Sequence, residues 1–351
     1  MTRISRRKAM AVTTAGALLA GFSLILSAVA PPALADTQQL RIAHFLPVQS
    51  MTHSNLFVPL AEGITADSDG RLSATVYPGG SLGRNPAAQL QLVMDGVVDA
   101  AFIVQSYTPG QFPDNSLMEL PLILGDTREA ALVHQRLYER GLLRGYDDVK
   151  VLGLGTTSSY GLHLNFPYET LDDLRGKKIR AATGIQSDII EALGATPVGG
   201  IPVTQTAEAL SRGVIDGSLL GWESMSTFRV LPVTTHHVEI PLGFTPLMIA
   251  MNRQKYEALP DDLKAVVDAY SGEWIAERMS ANYVRQGGRA LEEARASDEN
   301  HVIELSAEER ARYEAALQPI IDKWVAEHPN GQTLIDALRE EQAGIGPPPA
   351  D

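Results

Sequence analysis

Leu40-Arg-Ile-Ala-His-Phe45 alternates as a short strand, and an amphipathic stretch over 52–68 follows it and stops at Asp69-Gly70. Leu72-Ser-Ala-Thr-Val-Tyr77 reads as a second strand, closed by Pro78-Gly79-Gly80. A helical segment over 85–95 and an apolar run over 97–104 come next. Strand, helix, strand, helix, strand in that order predicts an α/β fold with a mostly parallel sheet and helices on its faces.

The same alternation recurs downstream. Residues 149–154, 161–165, 178–181 and 214–220 read as strands, and 171–174, 186–193 and 206–211 as helical turns or helices. A further strand over 247–252 can cross back to the first half. From Asp261 to about Ser297 the chain is strongly helical, longer than an ordinary domain helix. Two more helices fill 306–342, and a Gly- and Pro-rich end over 346–351 reads as disordered. One echo links the halves. Asp95-Gly-Val-Val-Asp99 parallels Arg212-Gly-Val-Ile-Asp-Gly217, each after a helix and before an apolar strand. Two similar lobes would present their strand ends to a shared cleft, the place where open parallel sheets bind ligands.

The first 35 residues read as a leader. Arg3, Arg6, Arg7 and Lys8 precede an apolar run that ends in Ala33-Leu34-Ala35, a cleavage signal that starts the mature chain near Asp36. An uncleaved anchor is the alternative. Ser5-Arg6-Arg7-Lys8 resembles a twin-arginine export signal, although Ala9 stands where such signals carry a bulky apolar residue, so the general export route stands beside it. Four of the 29 basic residues lie in this leader and none of the 42 acidic ones, which leaves 25 against 42 and a mature charge of −17. So acidic a surface argues against nucleic acid and anionic lipid, and an anionic ligand would need a fixed local cation. The chain has no cysteine, which removes thiol nucleophiles and thiolate metal sites. The eight histidines form no metal pattern, and His236-His237 reads as a surface loop.

Several motifs, weak singly, resemble in their order and spacing the solute-binding subunits of tripartite ATP-independent periplasmic (TRAP) transporters. They are Tyr77-Pro78 with Leu82-Gly83, Gly96-Val-Val-Asp99, Phe112-Pro113 before Glu119-Leu120-Pro121, and Leu171-Asp-Asp-Leu-Arg-Gly-Lys-Lys-Ile-Arg180. Gly194-Ala-Thr-Pro197, Gly213-Val-Ile-Asp-Gly217, Asn252 and Leu259-Pro260 complete the set. The resemblance implies a type II periplasmic-binding-protein fold, two α/β lobes with crossing strands and one long helix over both. Residues 36–157 with 247–285 would make lobe I, and 158–246 with 286–345 lobe II. It also implies hinged closure on the ligand, a membrane permease as partner, a periplasmic location, and no cofactor; a monomer is the default state.

Arg180 is the candidate anchor. A guanidinium offers two parallel donors to a carboxylate, and the resemblance gives this position the substrate carboxylate. Elsewhere the chain departs from sialic-acid-type members. Tyr160 replaces a second arginine, Leu220 and Phe45 replace asparagines, and Val104 replaces an acid. A site reading many hydroxyls needs a partner for each, so these changes imply one carboxylate anchor with apolar or aromatic walls. Phe45, Tyr160, Trp222 and Phe244 are the candidate walls. Glu223, in Gly221-Trp222-Glu223, could orient Arg180, accept from a ligand hydroxyl or amine, or help bind a cation. Gln105, Tyr107, His44 and Asn85 are further first-lobe candidates. There is no G-x-S-x-G elbow, P-loop or dinucleotide fingerprint, so an enzyme is disfavoured. A ligand sensor presenting its closed form to a receptor is the alternative to transport.

Overall fold

The structure is a computed structural model that describes residues 37–108 and 110–347. The leader and the last residues of the tail expected to be disordered lie outside that range. Among the described residues no helix is long and apolar enough to cross a membrane.

The first sheet has β1 (Gln38–Ala43), β2 (Leu72–Tyr77), β3 (Ala100–Val104) and β4 (Val149–Thr156). Its order is β2-β1-β3-β10-β4, where β10 (Pro246–Asn252) inserts antiparallel between β3 and β4. The second sheet runs β11-β9-β5-β8-β6-β7. Its strands are β5 (Gly161–Leu164), β6 (Lys178–Arg180), β7 (Thr196–Val198), β8 (Gly217–Leu220), β9 (His236–Glu239) and β11 (His301–Glu304). β4 therefore leads out of the first lobe and β10 returns to it, which is the crossing expected of the two-lobed fold.

The echo in the sequence is a shared joint. Gly96 and Gly213 both turn with positive φ, 67° and 66°, a conformation that suits glycine. The aspartate three residues later then ties its strand to a neighbour. Asp99 accepts from the Arg41 backbone N–H at 2.7 Å, and Asp216 from that of Lys178 at 2.8 Å. Asp99 also takes the Arg41 guanidinium, at 3.0 Å from Nε.

The stretch from Asp261 to Ser297 is not one helix. It breaks into Asp261–Ala269 and Glu273–Ala296. Gly272 sits between them at φ 64° and donates its N–H to the Leu152 carbonyl on β4 at 2.6 Å. That contact pins the start of the second helix to a crossing strand. The helix then packs on the Thr127–Glu139 helix and β4 of the first lobe and on the Trp222–Thr227 helix of the second. Two glycines on one face of β4 admit it. A Cβ on Gly153 would stand 2.5 Å from Ile275 Cβ, and one on Gly155 would stand 2.6 Å from Met279 Sδ.

Two further readings are corrected. His236-His237 is not a surface loop but part of β9, with His237 fully buried. Its Nδ1 lies 3.0 Å from that of His163, and its Nε2 lies 2.9 Å from Asn300 Oδ1. These partners come from distant segments, so no local pattern reveals them. The final helix, Gly331–Ala343, packs against the Thr127–Glu139 helix of the first lobe, although 286–345 was grouped with the second. Leu334, Ile335 and Leu338 share a buried cluster with Ala130, Val133 and Leu137.

Candidate functional site

β3 alternates cleanly. Ala101 and Ile103 face one core, while Phe102 and Val104 face the other, as period-two side chains must. The second face looks onto a cavity between the sheets. Phe45, just past β1, closes the same wall, its ring centroid 5.6 Å from that of Phe102. From the second sheet come Arg180 at the end of β6, Leu219 and Leu220 at the end of β8, and Tyr160 just before β5. The strand ends converge, as open α/β sheets arrange their ligand sites. The space open to the centre of a water molecule is ≈ 60 Å³, several times the roughly 10–15 Å³ that one water requires.

Arg180 is 1% exposed. Its Nε donates to the Ile201 carbonyl at 2.8 Å, and its Nη2 lies 3.5 Å from the Tyr107 hydroxyl. The Nε bond fixes the plane of the guanidinium. Among the described residues no carboxylate comes within 4.0 Å of it, so its Nη edge is left to the cavity it lines. A buried cation without a counter-ion is costly, and an anion brought between the lobes would relieve that cost.

Glu223 lines the same cavity at 3% exposure. Its carboxylate accepts from Ser224 Oγ at 3.0 Å and from Ser158 Oγ. Burial pushes its pKa above the usual carboxylate value against those hydrogen bonds. Gly221 is required here, because a Cβ would stand 2.4 Å from Glu223 Oε2 and 2.5 Å from Ser158 Oγ.

Of the residues singled out in the sequence, Arg180, Tyr160, Phe45, Leu220, Glu223, Val104 and Tyr107 line this cavity. Tyr160 is held by Thr245 Oγ1, 2.9 Å from its hydroxyl. Phe244 does not line it. Its side chain is fully buried in the core, its backbone N–H bonded to the Met118 carbonyl at 2.9 Å. Trp222 does not line it either, because its indole turns away to pack edge-on against His163, with centroids 4.9 Å apart. Gln105 is buried and donates to the Tyr146 hydroxyl at 2.8 Å. Asn85 caps a 3-10 turn by accepting from the Ala87 N–H at 3.0 Å. His44 pairs with His53, 3.0 Å between ring nitrogens, and stacks on Phe57. The sequence reading missed Phe102, Gln186, Thr245 and Tyr283 among the lining residues. The apolar run over 97–104 marks Phe102 as buried but not which face of the sheet it takes; Tyr283 lies on a long helix whose inward face only packing selects.

Two lobes with crossing strands, a helix over both and a cavity between the sheets lined by an unmatched arginine define a two-lobed ligand-binding protein, with the cavity as its site. The chain belongs to the bacterial extracellular solute-binding protein family 7, whose model matches residues 42–328, and so to the solute-binding proteins of TRAP transporters. It is 26% identical over 330 residues to the C4-dicarboxylate-binding periplasmic protein DctP of Rhodobacter capsulatus, covering 91% of this chain and 95% of that one. Among solved structures it resembles a marine-metagenome TRAP solute-binding protein specific for aromatic acids, in complex with 3-hydroxybenzoate. The TM-score is 0.83, with 29% identity, 89% of this chain and all of that one. It also resembles a TRAP solute-binding protein of Rhodoferax ferrireducens with copurified benzoate, at TM-score 0.79 and 27% identity, over 88% of this chain and 98% of that one.

Proposed function

We propose that this chain captures a small organic monocarboxylate with an aromatic or apolar body and delivers it to a membrane permease. The observation that carries the reading is the buried, unmatched Arg180 guanidinium facing a cavity walled by Phe45, Phe102, Tyr160 and Leu220. The aromatic acids held by the two structural relatives support it. In this reading Arg180 takes the carboxylate in the open protein, and closure of the second lobe excludes water and strengthens the ion pair. The closed form docks on the permease outside the cytoplasm, after export through the leader. The protein spends no nucleotide, since it contributes binding alone.

A thermal-shift screen of the 36–351 chain against a carboxylate library tests this. Ligand at 100 times its dissociation constant adds about 2.7 kcal/mol of stability. Benzoate-like and other apolar monocarboxylates should raise the Tm, and Arg180→Ala should weaken them at least about thirtyfold, equivalent to about 2 kcal/mol. Shifts confined to polyhydroxylated sugar acids, or shifts unchanged in Arg180→Ala, would contradict it.

A further inference from the structure

The cavity adjoins a second, larger space. This outer recess is lined by Asn85, Pro86 and Ser106 from the first lobe and by Ala181, Gly200 and Pro202 from the second. Its space open to the centre of a water molecule is ≈ 300 Å³, against ≈ 60 Å³ in the cavity. Among the described residues, β4, β10 and the long helix, which join the lobes, supply none of its lining. The recess therefore lies on the open side of the cleft. Another groove shares only Thr227 with the cavity, and the long helix lines it with Gln286, Arg289 and Ala290, so it lies on the joined side.

Tyr107 and Ala182, one from each lobe, line both the cavity and the recess. Ala182 offers a methyl group, so the bulk at this boundary is the tyrosine ring. Tyr107 spans the gap between the lobes, its hydroxyl 3.5 Å from Arg180 Nη2. Arg180 is tied through Nε to the Ile201 carbonyl at 2.8 Å, and Ile201 lines the recess. The guanidinium thus sits at the boundary, beside the ring. The turn Gln105–Tyr107 that carries the ring is pinned. Gln105 is 1% exposed and donates to the Tyr146 hydroxyl at 2.8 Å, and Ser106 Oγ donates to the Glu119 carboxylate. Past the ring, Thr108 Oγ1 donates back to the Gln105 carbonyl at 3.1 Å.

We propose that Tyr107 sets the size of the solute at its carboxylate end: the ring closes the cavity beside Arg180 and leaves no room for a second large group on the carbon that bears the carboxylate. This rests on the Arg180 reading of the site and narrows it to acids with little branching at that carbon. A carboxylate held by the Nη atoms brings its α-carbon next to Tyr107. A bulky substituent there meets the tyrosine ring, while the rest of the acid extends toward Phe45 and Phe102. Without the ring, the same substituent has the recess to occupy.

Calorimetric titration of the 36–351 chain and its variants with phenylacetate and diphenylacetate tests the proposal. Apolar groups that do not fit a pocket cost about tenfold or more, so the wild type should prefer phenylacetate by at least that factor. Tyr107→Ala joins the two spaces, and the preference should fall below about threefold. Tyr107→Phe keeps the ring and loses the contact with Arg180, so the preference should persist. Equal affinity of the wild type for both acids, a preference unchanged in Tyr107→Ala or a preference lost in Tyr107→Phe would each overturn the proposal. Loss of phenylacetate binding in Arg180→Ala would then leave the Arg180 reading intact. A wild type that binds neither acid, or phenylacetate binding unchanged in Arg180→Ala, would overturn both.

Discussion

Arg180 is buried by three different contributions: β6 delivers it, the Ile201 carbonyl orients it, and Tyr107 from the first lobe approaches its far side. Charge alone is therefore not what the position supplies. Arg180→Lys keeps the cation but loses the planar fork and the Nε bond to Ile201, so carboxylate affinity should fall about tenfold or more, as one charge-assisted bond is lost; calorimetry on the folded variant would show it, and undiminished affinity would mean that a point charge suffices. The place of Arg180 in the cavity was legible because its motif, Leu171 to Arg180, is local in sequence. The aromatic wall was legible only in part. Phe45 and Phe244 are equally apolar and each lies near the end of a strand, yet one lines the cavity and the other fills the core, because the cavity is assembled from segments far apart in the chain. Trp222 failed for a related reason: the buried histidines it packs against, His163 and His237, stand 59 and 15 positions away.

At the scale of elements, the crossing strand β4 and the long helix Glu273–Ala296 hold the lobes in register, and their close approach depends on Gly153 and Gly155. The two differ in what opposes them. Ile275 meets Gly153 with its branched Cβ, close to the helix backbone, whereas Met279 meets Gly155 with the end of a flexible chain. Gly153→Ala should therefore cost about 1–3 kcal/mol of stability as overpacking, and Gly155→Ala distinctly less; urea denaturation separates them, and equal losses would contradict this packing. The helical period of 261–297 was plain in the sequence, but its break was not. A glycine inside a periodic pattern does not announce that its N–H is claimed by a carbonyl more than a hundred residues earlier. β7, β9 and β11 were also missed, since strands of three or four residues carry too little alternation to read.

Across the whole molecule, buried histidines set the response to acid. Burial lowers the pKa of His44 and His163 to about 3 and of His134 to about 4. Their folded values lie below the unfolded one of about 6.5, so their contribution is present above that pH and is lost as pH falls toward 4. Glu119 acts in the opposite sense. Burial pushes it up to about 7, so its contribution is present below about 4.5 and is lost as pH rises through 7. Glu223, also raised by burial, acts in the same sense as Glu119, but His53, His236 and His237 are lowered by burial as well, so the histidines outweigh the two acids and the urea midpoint should fall between about pH 7 and pH 4.5; a constant or rising midpoint would contradict the burial of these rings as neutral groups. The overall α/β, two-lobed plan was readable from strand–helix alternation and the repeated Gly-Val-hydrophobic-Asp joint, while the cavity emerges only when both sheets are present. The most direct measurement is a crystal structure of the 36–351 chain with the tightest acid of the library. The account predicts the carboxylate within hydrogen-bond reach of the Arg180 Nη atoms and the ring against Phe45 and Phe102. A carboxylate bound away from Arg180, or a ligand outside this cavity, would contradict it.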